Sequence, residues 1–426
     1  TTDPFADGLF LTNQARSSEQ DTNLGVTKQD AIVDFILNEP DVTIHKGVVG
    51  YRDIGLTVGG VSFEAPDDVS DFSPDPVYSS AHASAIAASD LTGNEVDAED
   101  EVRFAIMLRN GGRSDAFDVN VTDSVPTGFD IPADLADMEL TVRRGTGELL
   151  SNGVDYIAAL DAAGNLDITL VDSYTDGNIG GDDEPGALSR GYNAGTDSDV
   201  TNGSNAVIIT YDLRAAEDVE ASSETTNTAS MTNYSNVEGG TDFTAEDPSD
   251  DATVNFRPAA VAKAFSHTET DDSGSTAFNI NSEAVVGEIA TYTLTVTVPE
   301  GLTANAVLTD TLDDGLAFVA VTGISKSAAL QIQNPTGTGA NPANTVIADA
   351  GRSVSYNFGN IQNDDDDNTT AETIVITYEA VVLNAAGNQN GTTLNNTAAF
   401  DYKNNGAPLT DSSAAITVIE PVVSVD

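Results

Sequence analysis

Cysteine and tryptophan are absent from these 426 residues, and histidine occurs only three times, at His45, His82 and His267. The missing cysteine excludes disulfides, thiolate metal sites and cysteine nucleophiles. Three scattered histidines argue against histidine-based catalysis, and no enzyme is expected. Positive charge is scarce too: 16 Lys and Arg face 69 Asp and Glu, a formal net charge of -53. That much self-repulsion excludes nucleic acid and anionic membrane as partners, and points to cations or high salt. No run approaches 18 consecutive apolar residues, so no membrane insertion is expected in this segment. The chain opens Thr-Thr-Asp, with neither an initiator Met nor an apolar leader, and the expectation is a processed or excised soluble piece.

What is present is a β pattern. Val, Ile, Leu, Thr, Tyr and Phe fall into short alternating runs separated by Gly, Asp, Asn and Pro, which predicts an all-β array of tandem Ig-like or prealbumin-like β-sandwiches. Val102 to Leu108, Asn205 to Tyr211, Ala290 to Val298 and Thr373 to Val382 are the clearest runs. Only Ser79 to Ser89 and Ala133 to Met138 suggest helices.

Repeats set the modules. The pattern Asn-x-Ala begins at Asn13, Asn227 and Asn396, each ahead of a terminal strand that is followed by Pro40, Pro258 or Pro421 and a new extended segment. A proline there removes a ladder donor and stiffens the joint. A second block, strand then Thr-Asp then Gly then strand, recurs at Val119 to Ile131 and Ala306 to Val319. The expected organisation is therefore 1-39 as the last strands of a preceding module, 41-257 as a module with large insertions at about 47-95 and 132-204, 258-419 as a second module, and 420-426 as the first strand of another.

The Pro-led first strand carrying Lys, Val286-Gly287-Glu288 leading to Tyr292-Thr293-Leu294-Thr295-Val296, Val307 through Asp310-Thr311-Leu312 to Phe318-Val319, and the late Asn396-Thr397-Ala398 together resemble the conserved repeat domain of bacterial and archaeal cell-surface proteins. The match runs through 258-419; in the other module it is good around 97-131 and 205-257. The resemblance implies a prealbumin-like sandwich in an extracellular surface protein without catalytic activity.

Of five lysines, Lys46 and Lys263 occupy the same place on the first strand of each module. With Asp123 and Asp310 of the Thr-Asp blocks and Asn227 and Asn396 of the late strands, they match the needs of a Lys-Asn isopeptide crosslink. That reaction requires a lysine neutralised by burial, a carboxamide electrophile and a protonated carboxyl to shuttle protons. The plainer alternative is an edge lysine that snorkels and an asparagine that bonds backbone at a strand end.

Calcium is the expected cofactor, since Asp outnumbers Glu 48 to 21 and carboxylates on Gly-rich loops suit a cation of six to eight oxygen ligands. The loop bearing Asp172, Asp176, Asn178, Asp182, Asp183, Asp197 and Asp199 is the candidate; a solvated acidic surface is the alternative. The functional expectation is a structural protein of a stalk, filament, sheath or surface layer, associating head to tail with its own copies or adjoining modules. The alternative is an adhesin that binds a glycan or protein ligand through the insertions.

Overall fold

In a strand that covers a core, every second residue turns inward, and the second module follows this rule closely: Ile289–Thr297 and Thr373–Val382 each alternate half-buried and buried along their whole length. The computed structural model describes residues 7-23, 25-52, 79-171, 187-193, 195-244, 248-268, 282-334, 344-365, 370-403 and 407-420. It begins with an antiparallel hairpin, β1 (Phe10–Gln20) and β2 (Val26–Ile36), whose residues are all exposed.

The first module holds β3 (Val42–Arg52), β4 (Leu91–Val96), β5 (Glu101–Asn110), β6 (Phe117–Ser124), β7 (Thr141–Arg144), β8 (Tyr156–Leu160), β9 (Leu166–Leu170), the short pair β10 (Tyr192–Asn193) and β11 (Ser198–Asp199), β12 (Ala206–Arg214), β13 (Glu224–Ser235) and β14 (Ser249–Phe256). The second holds β15 (Ala260–Thr268), β16 (Glu283–Ala284), β17 (Ile289–Thr297), β18 (Gly301–Leu312), β19 (Leu316–Lys326), β20 (Leu330–Ile332), β21 (Thr345–Ala348), β22 (Ser353–Asn363), β23 (Thr373–Val382), β24 (Thr393–Leu394), β25 (Asn396–Asp401), β26 (Leu409–Ser412) and β27 (Ile416–Val418).

Each module is a sandwich of two sheets around its own apolar core. In the first, β3-β5-β12-β7 faces β4-β14-β13-β6-β9-β8; in the second, β15-β17-β23-β19 faces β20-β22-β18-β25-β26, with β16-β27-β24 as a small third sheet. The strand orders coincide: β3, β5, β12 and β7 match β15, β17, β23 and β19, while β14, β13, β6 and β9 match β26, β25, β18 and β22. The segment 132-204, expected as an insertion, thus supplies β7 and β9 in the places that β19 and β22 hold.

Of the two helical expectations, Ser80–His82 forms a 3-10 turn running into a one-turn α-helix, Ala83–Ile86. It covers Val49, Ala105, Met107, Ala206 and Ile208 on the outer face of the four-stranded sheet. Gly47 makes this approach possible, since a Cβ there would lie 1.9 Å from the Ile86 carbonyl oxygen. Residues 133-138 form no helix. Asp134 Oδ1 accepts from the backbone N–H groups of Ala136 (2.8 Å) and Asp137 (3.2 Å), a local turn that competes with helical hydrogen bonding.

Backbone hydrogen bonds run across the joint at Pro258. Leu302 N–H donates to Val219 O and Ala221 N–H to Leu302 O, both at 2.9 Å, and Arg257 pairs with the buried Asp97 at 2.9 Å. Gly301, at φ 94°, lies where a Cβ would meet Val219 O at 2.5 Å.

Candidate functional site

Four inward-facing rows bring the site together. Lys46 follows Val42 and Ile44 on the core side of β3, and Tyr211 follows Ile209 on β12 of the same sheet. From the opposite sheet, Asp123 follows Val119 and Val121 on β6, and Asn227 precedes Ala229 and Met231 on β13. Period two therefore sends all four polar side chains into one apolar core. The second module repeats the set with Lys263 on β15, Tyr378 on β23, Asp310 on β18 and Asn396 on β25, all buried. The register agrees too. Asp123 lies opposite Ala229, two residues after Asn227; Asp310 lies opposite Ala398, two residues after Asn396.

The tyrosine hydroxyl is the meeting point. Lys46 Nζ donates to Tyr211 OH (2.8 Å) and to Asp123; Asn227 Nδ2 donates to the same hydroxyl (2.9 Å), and Tyr211 donates to Asp123. In the second module Lys263 Nζ donates to Tyr378 OH (3.0 Å) and to Asp310, and Asn396 Nδ2 donates to Tyr378 OH (2.6 Å). Lysine nitrogen and asparagine nitrogen are thus no further apart than two hydrogen bonds laid end to end. Aromatic faces complete the lining: Lys46 Nζ is 5.4 Å from the Phe104 and Tyr211 ring centres, and Lys263 Nζ is 5.1 Å from Tyr292 and 5.3 Å from Tyr378.

Burial disfavours the charged form of every member. It pushes the Lys46 ammonium down to about 8 although Asp123 pulls it upward, and Lys263 likewise to about 8 against Asp310. The carboxyls of Asp123 and Asp310 are raised by the same burial, opposed by their lysines. Both shifts in each pair run toward amine and carboxylic acid, the protonation states that amide formation needs. Among the described residues, Asn227 Oδ1, Asn396 Oδ1 and Asp310 Oδ2 are buried without a hydrogen-bond partner. Such groups are rare and costly in a resting core.

Sequence reasoning missed Tyr211 and Tyr378. Their signal was the recurrence of Ile209-Thr210-Tyr211-Asp212 as Ile376-Thr377-Tyr378-Glu379. It also missed Asp250 and Asp411, each of which accepts the backbone N–H of the module's lysine at 2.7 Å. These carboxylates lie opposite Ala229 and Ala398 respectively, so they tie the first strand of one sheet to the last strand of the other.

Of the calcium candidates, Asp172, Asp176, Asn178, Asp182 and Asp183 lie outside the described residues. Asp197 and Asp199 are exposed, and Asp197 accepts from Tyr192 OH. Among the described residues no group of three or more His, Asp or Glu is placed to hold a metal ion. No helix among them is long and apolar enough to cross a membrane.

No family model and no curated protein sequence matches the chain. Among solved structures it is similar to the C-terminal domain of the antigen I/II-family protein AspA of Streptococcus pyogenes, at 12% identity and a TM-score of 0.29, over 89% of this chain and 99% of that one. It is similar to the full-length major pilin SpaD of Corynebacterium diphtheriae at 12% identity and a TM-score of 0.25, over 72% of this chain and 59% of the pilin. A third is BcpA, the major pilin subunit of Bacillus cereus, at 15% identity and a TM-score of 0.23, over 66% and 63%. At these scores the likenesses carry no argument about this chain, whose β-sandwich architecture stands on its own sheets.

Proposed function

We propose that the chain is part of an extracellular structural protein of a cell surface, built of sandwich modules that each staple themselves with an amide, Lys46 to Asn227 and Lys263 to Asn396. The observation that carries this reading is the twofold occurrence of one buried Lys, Asp, Asn and Tyr constellation in one register. Lysine Nζ bonds to the asparagine Cγ, the Cγ–Nδ2 bond breaks, and ammonia leaves. Each module acts once, on itself, so no turnover follows.

The staple would join first strand to penultimate strand across the two sheets, the role a disulfide plays in chains that have cysteine. By loop-closure entropy each bond contributes about 5 kcal/mol. A stiff spacer for a stalk, filament, sheath or surface layer is what such reinforcement suits. The adhesin reading leaned on insertions confined to the first module, and the strands that 132-204 adds to both sheets weaken that contrast. Intact mass tests the proposal: two bonds lower it by about 34 Da, one ammonia of about 17 Da each, and digestion should yield Lys46 joined to Asn227 and Lys263 joined to Asn396. An unshifted mass overturns it.

Head-to-tail association belongs to the same reading. Among the described residues the β1-β2 hairpin pairs only with itself, and it exposes Phe10, Leu11, Ile32, Val33, Phe35 and Ile36, an apolar strand pair that invites coverage. An adjoining module or a second copy supplies the missing sandwich, through strand addition. Of 420-426, expected to open another module, only Glu420 lies within the described residues. Removing residues 1-39 should abolish self-association while both sandwiches stay folded; undiminished association in that variant refutes the contact. Calcium in the 172-199 loop would add local stiffness.

A further inference from the structure

We infer that Tyr211 and Tyr378 are catalytic in the stapling step, carrying the proton that lets ammonia leave. The inference rests on the crosslink reading and adds a residue to its machinery. On its way from ammonium to amide Nζ must lose two protons, one before it attacks Cγ and one after, and Nδ2 must gain one before it can depart. Asp123 receives the first directly, since Lys46 Nζ donates to it. Delivery to Nδ2 is the difficulty: the hydrogen-bond partners of the Asp123 carboxyl are Lys46 and Tyr211, and Asn227 Nδ2 bonds Tyr211 OH. The hydroxyl therefore stands between the acid and the leaving group.

The steps balance. Nζ transfers a proton to the Asp123 carboxylate and adds to Cγ. Once Nδ2 has become an amine with a lone pair, the Tyr211 hydroxyl gives it its own proton and takes the one on Asp123. The Cγ–Nδ2 bond breaks, ammonia departs, Nζ passes its second proton to the Asp123 carboxylate, and an amide, a neutral tyrosine and a carboxylic acid remain. Burial first and the neighbouring Asp123 second hold the Tyr211 hydroxyl well above its ordinary value, so it keeps a proton to give. Tyr378 repeats the position, bonded to Lys263 and Asn396, and burial first and Asp310 second hold its hydroxyl well above its ordinary value. One difference matters: among the described residues Asp310 Oδ2 has no hydrogen-bond partner, so the second module's acid is not joined to its tyrosine as Asp123 is to Tyr211.

The test follows the full chain, recovered unfolded in urea from inclusion bodies and refolded by dilution, with intact mass read over time and each bond assigned by digestion. Tyr211→Phe keeps the ring stacked on Phe104 and removes only the hydroxyl. Bond formation at Lys46 should slow by on the order of 10²-fold, the usual worth of positioned acid-base catalysis, while the Lys263 bond in the same molecule keeps the wild-type rate. Tyr378→Phe should slow its own module less. If Tyr211→Phe closes its bond at the wild-type rate while Asp123→Ala does not, the relay is overturned and the crosslink stands. If the wild-type chain itself forms no bond, the crosslink reading fails and takes the relay with it. A proton inventory on the wild-type chain, which needs no variant to fold, gives a curved dependence on deuterium content for two protons moving together; a straight line refutes the relay.

Discussion

The two modules differ in what surrounds the same constellation. In the first, Lys46 sits against Phe104, and Asp123 reaches Asn227 through Tyr211 alone. In the second, Tyr292 replaces Phe104 and stacks on Tyr378 at 5.4 Å, and among the described residues Asp310 Oδ2 has no hydrogen-bond partner. The tyrosine row differs as well: Asp212, next to Tyr211, is buried against Arg103 at 2.7 Å, whereas its counterpart Glu379 is only half-buried. Lining and neighbours vary while Lys, Asp, Asn and Tyr keep type and register. The lesson is that the core tolerates changes of apolar and aromatic shape more readily than loss of any polar member, since each leaves a buried group without its partner.

The largest expected effect breaks the equivalence at its acid. Asp123→Ala or Asp310→Ala removes the staple, about 5 kcal/mol, and strands a buried lysine, a further cost of about 3–5 kcal/mol. Asn227→Ala or Asn396→Ala should lose the staple alone. Urea unfolding of the four variants should therefore give two matched pairs, the aspartate pair lower. A deep loss in one module with none in the other would show that only one is stapled.

A smaller effect concerns pH. With both bonds prevented by Asn227→Ala and Asn396→Ala, Lys46 and Lys263 remain titratable, near 8 in the fold against 10.5 ordinarily. Below about 8 folded and unfolded chains both carry the charge, and its burial cost is felt in full. Between about 8 and 10.5 the folded form has released protons that the unfolded form still binds, so stability from these groups rises with pH. The urea midpoint should climb over that window relative to a counterpart that also carries Lys46→Met and Lys263→Met. A flat difference would mean that the lysines stay charged inside the sandwiches.

The smallest effect separates the modules by their acidic loops. A cation bound only by the folded chain stabilises it by mass action, so chelation should lower the melting temperature of the first module, increase protease nicking between 172 and 199, and leave the second unchanged. Identical melts with and without chelator at low salt would remove calcium from the account.

Much of the fold and of the site is legible in the sequence. Alternating runs and Gly, Asp and Pro punctuation are local properties, so sandwich class, strand positions such as Thr373–Val382 and the pairing of one module with the other follow from the chain alone. So do Lys46, Asp123 and Asn227 and their counterparts, because internal repetition singles out residues that recur at one place. Tyr211 and Tyr378 escape because a tyrosine in an apolar strand looks like core, and only the packing of two sheets shows which hydroxyl meets an amine, an amide and a carboxyl. The places of β7 and β9 escape for a related reason: strand pairing is non-local, and a segment without a recognisable repeat can still complete a sheet. Composition and periodicity determined which residues turn inward; tertiary structure alone decided what they meet there, since contact across a core depends on the register of strands far apart in sequence.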